Sequence, residues 1–217
     1  MVEMITLASR AEWLERRKVS IGGSECACLV GMNPYRTNVE LWEQKLGRRK
    51  TEDISDNPYV QYGTKAESFL RDLFQLDFPQ LKVEYVENNM WINSDYPFAH
   101  ASLDGWLTDA EGRRGVLEIK TATIQSPAQK AKWDGRIPDS YYCQILHYLI
   151  VTGFEFAILK GQLRWVRDDG DVLLVTKHYR IERADVEDDM QMLIDAEQKF
   201  VEYLVRDERP PLILPNV

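Results

Sequence analysis

The chain is poor in cysteine and histidine, with three of each among 217 residues, and it has no long apolar run. Three cysteines (Cys26, Cys28 and Cys143), an odd number, argue against a disulfide framework and for a reducing compartment. They are too few for a four-cysteine iron–sulfur cluster within one chain. There is no stretch of eighteen or more apolar residues and no basic-then-apolar leader, so neither membrane insertion nor secretion is indicated and a cytoplasmic setting is expected. An excess of basic residues is also missing. Lys and Arg number 27 against 35 Asp and Glu, a net charge of −8. That balance argues against tight non-specific coating of nucleic acid. Basic groups can still concentrate along a groove; Arg16–Lys18, Gly47–Lys50, Arg113–Arg114 and Lys130–Arg136 are the candidates, each otherwise a solvated charge run. Internal repeats and low-complexity tracts are absent. What is present, 44% hydrophobic and 29% charged residues, is ordinary for a globular protein. The length suits one domain, with a core at about 10–181 and a C-terminal helix and tail at 182–217.

Local signals order the elements. Ser9-Arg10-Ala11-Glu12 has capping-box form and opens a short helix ending near Arg17. Ser24 is read as the cap of a helical turn that Gly31 stops, and Thr37–Glu40 as a second capping box starting a helix that Gly47 ends. Between the first two lies Ile21-Gly22-Gly23, whose glycines allow close backbone approach to a ligand. A glycine loop running into a helix N-terminus, with Arg17 just before it, is either an anion site or a capped helix with an exposed arginine. Residues 47–57 are turn-rich and read as a mobile loop. A helix from Tyr59 to Leu76 has Ala66, Phe69, Leu70, Leu73 and Phe74 as its expected core stripe. Glu67 lies at the edge of that stripe, as a surface acid beside Arg71 or as an acid pointing into a cleft.

Strands are expected at Leu81–Glu87, Asn89–Asn93, Phe98–Leu107 and Gly115–Thr121, then a helix at Ser126–Trp133. In the next helix, Ser140–Val151, Tyr142, Ile145, Leu146 and Leu149 have core spacing, with Gln144 and Tyr148 beside them. Two strands (Phe154–Lys160 and Val172–Ile181, joined by a turn at 167–171), a helix at Ala184–Arg206 and a proline-bounded tail complete the chain. Leu212–Leu214 in that tail would dock on its own domain or reach a partner. The order predicts a mixed α/β fold, a central, mostly antiparallel or mixed sheet flanked by helices.

The chemistry concentrates between Phe98 and Ala122. In the strand 116–121, Val116, Glu118 and Lys120 face one way and Leu117, Ile119 and Thr121 the other. Burying Leu117 and Ile119 is expected. Holding Glu118 and Lys120 between apolar neighbours is costly unless the charges are paired or bound to metal. The turn-rich stretch 108–115 would fold the preceding strand back and bring Asp104 beside Glu118. Two carboxylates converging with a lysine suit a hard divalent cation and a phosphate ester. His100 shares strand parity with Asp104 and could line such a site; His147 and His178 are read as structural.

Taken together, these blocks resemble the phage exonuclease family typified by lambda exonuclease and grouped with the YqaJ-type viral recombinases in the PD-(D/E)XK nuclease superfamily. The resemblance is carried by Trp13, Arg17 and Ile21–Glu25, by Tyr62–Glu67, by Ser102–Gly105 and Leu117–Lys120, and by Tyr142, Gln144, Tyr148 and Val151-Thr152. Leu103 stands where the superfamily's name has proline. The resemblance implies Mg²⁺, with Mn²⁺ as substitute and two ions per site, on Asp104, Glu118, the Ile119 carbonyl and Glu67. It implies that Lys120 orients or deprotonates the attacking water, that Gln144 helps position it, and that Arg17 and Ser24 hold a 5′-phosphate, with Arg36 as a further contact. The implied activity is 5′→3′ digestion of one strand of duplex DNA to mononucleotides, leaving a 3′ overhang. The implied assembly is a ring-shaped homotrimer with a single-strand annealing protein as partner. An endonuclease of the same superfamily and a non-catalytic DNA-end-binding factor are the alternatives.

Overall fold

The structure, a computed structural model, describes residues 1–50, 53–166 and 169–215. The expected loop at 47–57, the turn at 167–171 and the end of the tail therefore lie partly outside the described residues.

The expected mixed α/β architecture is present, but as two sheets rather than one. The first contains β1 (Val2–Thr6), β4 (Asn89–Asn93), β5 (Ala99–Ala101) and β2 (Ile21–Gly22), in that order. The second runs β3 (Lys82–Glu84), β6 (Gly105–Thr108), β7 (Arg114–Thr123), β8 (Phe156–Val166), β9 (Val172–Glu182). In the second sheet only β7 and β8 are parallel. Their connection carries two helices, α5 (Pro127–Ala131) and α6 (Asp139–Thr152), as a parallel crossover requires.

The strand expected at Phe98–Leu107 is broken in the middle. Its first half, β5, belongs to one sheet and its second half, β6, to the other. The break is built by Asn89 of β4. Its Oδ1 accepts from the Leu103 N–H at 2.9 Å, and its Nδ2 donates to the Leu103 and Val86 carbonyls, both at 2.9 Å. A buried backbone needs its polar groups satisfied, and here a side chain does what a neighbouring strand would otherwise do. Asp104 thus stands just before β6 and not within a strand.

The second sheet is buried on both faces at its centre, along the first half of β7, while much of its edge strand β9 is exposed. Val116 belongs to the large core shared with α6, whose residues Cys143–Thr152 are all buried. Leu117 and Ile119 pack in a smaller core under α4 (Pro58–Asp77), with Leu70 and Phe74. The expected stripe on α4 is therefore too wide. Leu70 and Phe74 are buried and Ala66 packs beside them, while Phe69 is 74% and Leu73 43% exposed. The helix is turned so that the flank of Glu67 and Arg71 faces a cleft, which puts the opposite flank in solvent.

The remaining helices follow their sequence signals closely. Ser9 caps α1 (Arg10–Lys18), accepting from the Glu12 N–H. Thr37 and Glu40 form the reciprocal box of α3 (Asn38–Lys45). Ser24, however, is not a cap. The cap of α2 (Gly23–Cys26) is Gly22, whose N–H donates to the Glu25 carboxylate at 3.0 Å, and Ser24 lies exposed in the first turn. Gly31, Gly47 and Gly153 take left-handed φ of 67° to 72° just past their segments, a conformation glycine adopts without steric cost. β1 has no clear forecast in the sequence; it is an edge strand paired only with β4. The long helix α7 (Glu187–Val205) closes the large core with Met190, Leu193 and Phe200. The tail docks on its own chain through Asn38, which donates to the Pro211 carbonyl and accepts from the Ile213 N–H. Among the described residues, no helix is long and apolar enough to cross a membrane.

Candidate active site

A cleft of about 430 Å³ opens where the two sheets meet, bordered by α1, α2, α4 and α6. Asp104, Glu118, Lys120, Glu67, Gln144, Arg17 and Ser24 all line it. The hairpin β6–β7 pairs Gly105 with Leu117. One step beyond that register, the Asp104 Oδ2 accepts from the Ile119 N–H at 2.8 Å. The acid is thereby held beside Glu118, as the hairpin reading requires. Arg71 supports it from α4, donating to the Asp104 carbonyl and to the Glu67 carboxylate at 3.2 Å, with its guanidinium 3.6 Å from the Tyr85 ring centre. Both readings of Glu67 therefore hold: it pairs with Arg71 and it faces the cleft.

Glu118 is 1% exposed. Its Oε1 receives Gln144 Nε2 at 2.8 Å and Lys120 Nζ at 2.6 Å. Gln144 Nε2 also contacts the Tyr148 hydroxyl at 2.8 Å. Glu118 Oε2 is buried with no hydrogen-bond partner among the described residues. An orphaned carboxylate oxygen is expensive in a protein interior unless something positive joins it. The electrostatics agree. Burial, then the Glu118 charge, pushes the Asp104 carboxyl up to about 7. Burial also raises Glu118, and burial followed by Asp104 raises Glu67. Burial pulls the Lys120 ammonium down, but Glu118 and Asp104 together outweigh it and leave its pKa above the usual value. Three carboxylates displaced toward their neutral forms mark a site short of positive charge. The donor set, all oxygen, suits Mg²⁺ or Mn²⁺.

The opposite wall presents the glycine loop. The Arg17 guanidinium lies 4.2 Å from the centre of the Trp13 ring and donates to Ser24 Oγ at 3.3 Å. Trp13 is pinned in turn by its indole N–H, which is 3.1 Å from Ser102 Oγ and 3.2 Å from the Asn89 carbonyl. The loop is clamped from beneath by buried Lys45, which donates to the Ser20 carbonyl at 2.6 Å and the Arg17 carbonyl at 3.2 Å and pairs with Glu25 at 2.7 Å. Gly23 packs on Tyr148 so tightly that a Cβ there would sit 2.4 Å from the ring. Arg17 and Ser24 thus form a cationic, hydrogen-bonding patch across the cleft from the carboxylates.

A model of the YqaJ-like viral recombinase domain matches residues 12–155, a span that holds the cleft from Trp13 to Tyr148. The chain belongs to the YqaJ-like viral recombinase family. The uncharacterised YqaJ protein of Bacillus subtilis is 32% identical over 182 residues, which cover 78% of this chain and 54% of that protein, so the chain spans about half its relative's length. Among solved structures, an alkaline exonuclease from Laribacter hongkongensis aligns with TM-score 0.58 and 20% identity over 91% of this chain and 97% of its own, and it has also been solved in complex with dAMP. A phage-related exonuclease from Haemophilus somnus aligns with TM-score 0.54 and 15% identity over 87% and 96% of the two chains. At these identities the likeness is one of fold.

In this YqaJ-like chain Arg36 does not line the cleft; its guanidinium donates to the Gln44 side chain. His100 does line it. Its Nδ1 is 2.7 Å from Ser20 Oγ, and burial, reinforced by Arg17, depresses its pKa to about 2, so it is neutral. Ser102, Tyr148, Arg71 and Asn89 are cleft residues for which the sequence reading assigned no part in the chemistry. The i,i+4 spacing of Glu67 and Arg71 was the signal available for Arg71; Asn89 had none. Cys26, His147 and Glu197 place ligand-type atoms within 4.8 Å of one another, but this group is fully buried and none of the three lines the cleft. There His147 joins Glu197 at 2.6 Å to the His100 carbonyl at 2.9 Å, a structural role.

Proposed function

We propose that this chain is a Mg²⁺-dependent 5′→3′ exonuclease that digests one strand of linear duplex DNA from a 5′-phosphorylated end, releasing mononucleotides and leaving a 3′ overhang for strand annealing. The observation that carries the reading is the buried, unpartnered Glu118 Oε2 beside Asp104 and Lys120, facing the Arg17–Ser24 patch across one cleft. Family membership and the fold shared with two exonucleases support it.

Asp104, Glu118, Glu67 and the Ile119 carbonyl would hold the metal, as two ions per site with Mn²⁺ as a substitute. Bound there, the metal supplies charge neutralisation at the phosphate and a more acidic water. The protein's own groups do the positioning. Gln144 and Lys120 fix Glu118 through Oε1 and leave Oε2 for a cation. The raised pKa of Lys120 favours its ammonium form, so Lys120 donates to the attacking water and offsets charge growing on the phosphate rather than taking a proton. Arg17 and Ser24 would receive the terminal 5′-phosphate, a doubly charged group that a guanidinium and a hydroxyl recognise. A ring-shaped homotrimer, acidic outside with a basic lumen, reconciles the net charge of −8 with DNA as substrate. A single-strand annealing protein is the proposed partner and the host cytoplasm the setting.

The decisive assay follows a linear duplex, 5′-phosphorylated and labelled at either end, with Mg²⁺ present or chelated. Progressive release of 5′ mononucleotides is expected, abolished by EDTA and reduced about a hundred- to a thousandfold by Lys120→Ala, the scale of losing a preorganised electrostatic group. Covalently closed circular DNA should stay intact. Internal cuts in that circle would mean an endonuclease, and intact DNA bound at its ends would mean an assembly factor.

A further inference from the structure

A second and larger groove, about 980 Å³, lies at the far ends of β7 and β8, walled by the N-terminus of α4 and by α5. It adjoins the catalytic cleft along two elements. Along β7, Thr123 of the groove is three residues past Lys120, about 10 Å at strand spacing. Along α4, Tyr59 of the groove is five residues before Thr64 of the cleft, about 8 Å at helix rise.

Its lining is unusual for this molecule. In a chain of net charge −8, the described residues that line it include Lys130 and Arg164 and no acid. Lys130 is in no ion pair among the described residues. The Arg164 guanidinium lies 3.7 Å from the Tyr62 ring centre, and its Nε has no partner there either. Tyr59 stands at the rim, 54% exposed, with its hydroxyl held by Gln125 Nε2 at 2.9 Å. Trp165, Ile124 and Pro127 supply apolar surface.

We propose that this groove binds single-stranded DNA, as the continuation of a substrate strand past the catalytic cleft. Cationic groups interleaved with aromatic and apolar faces are what single strands recognise, because unpaired bases stack on rings while the phosphates follow the charge. A duplex keeps its base faces stacked inside and so would make no stacking use of Tyr59 or the apolar floor. The inference rests on the nuclease reading for the identity of the strand, and not for the chemistry of the groove.

The test is fluorescence anisotropy of a labelled 15-residue oligothymidylate, and of a hairpin duplex of equal length, in EDTA so that nothing is hydrolysed. Tyr59→Ala and Lys130→Gln alter exposed side chains outside both cores, and thermal melts will show that they fold. Tyr59→Ala should weaken oligothymidylate binding roughly tenfold, within the range of one lost stacking contact. Lys130→Gln should lower the salt slope of that binding by about 0.7, one phosphate contact on a single strand. Unchanged oligothymidylate affinity in both variants overturns the proposal, as does an equal loss for the duplex. Wild type that binds oligothymidylate through these residues but hydrolyses no DNA leaves the groove standing and removes the exonuclease. Wild type that digests DNA while both variants bind normally removes the groove alone.

Discussion

Burial and the neighbouring Glu118 charge hold the Asp104 carboxyl at about 7, above the ordinary aspartate value near 3.9. Between about pH 4 and pH 7 the folded chain therefore keeps a proton that the unfolded chain has released. Stability from this group is greatest below that window, falls as pH rises through it, and reaches its low plateau above the folded pKa. A divalent cation binds only the ionised carboxylate, so its binding expels that proton. Calorimetric titration should find Mg²⁺ about tenfold weaker at about pH 6 than at about pH 8, and Asp104→Asn should remove the slope along with most of the affinity. An affinity independent of pH would show that Asp104 is not a ligand. Much of this residue-scale picture was legible from strand parity alone, because a period of two fixes which side chains share a face. Glu118 and Lys120 could be read that way, while the convergence of Asp104 was read from the turn-rich stretch 108–115 that folds its segment back on them. Arg36 could not, since a turn gives no orientation for a long side chain, and here it reaches Gln44.

At the scale of elements, two devices hold the walls of the cleft apart and in register. Asn89 bridges the broken strand by satisfying both backbone groups of Leu103. Asn89→Ala should orphan those buried groups, at about 1–3 kcal/mol each, which urea unfolding will measure, and should lower activity by releasing Asp104. Lys45 and Glu25 clamp the glycine loop. Lys45→Met should raise KM for 5′-phosphorylated ends more than it lowers kcat, and should narrow the preference for phosphorylated over hydroxyl ends. An equal loss on both kinds of end would reduce Lys45 to a folding role. Helices announced themselves in the sequence through caps and glycines, which are local. The strand break did not, because the residue that makes it lies fourteen positions away from Leu103. The width of the α4 stripe was overread for a similar reason: which flank of an amphipathic helix meets solvent is set by the cleft it borders, and periodicity is blind to that.

For the whole molecule, the proposed ring predicts a solution mass by light scattering of three times the 25.3 kDa of one chain, and a monomer at working concentration would remove it. The flanking of the second sheet by helices was legible from the order of helices and strands, while its division from the first sheet was not. That division has a consequence of its own. The patch of Arg17 and Ser24 is carried with the glycine loop, whose Ile21 and Gly22 pair into the first sheet beside β5. Asp104, Glu118 and Lys120 are held at the β6–β7 end of the second, with Glu67 reaching in from α4. If the end of a DNA strand is gripped by one sheet and cut by the other, the gap between them acts as a ruler. Product length is then a property of how two sheets are spaced and not of any single side chain. Changes in the strand break at Ser102–Asp104 that spare every ligand should alter where the strand is cut before they alter how fast.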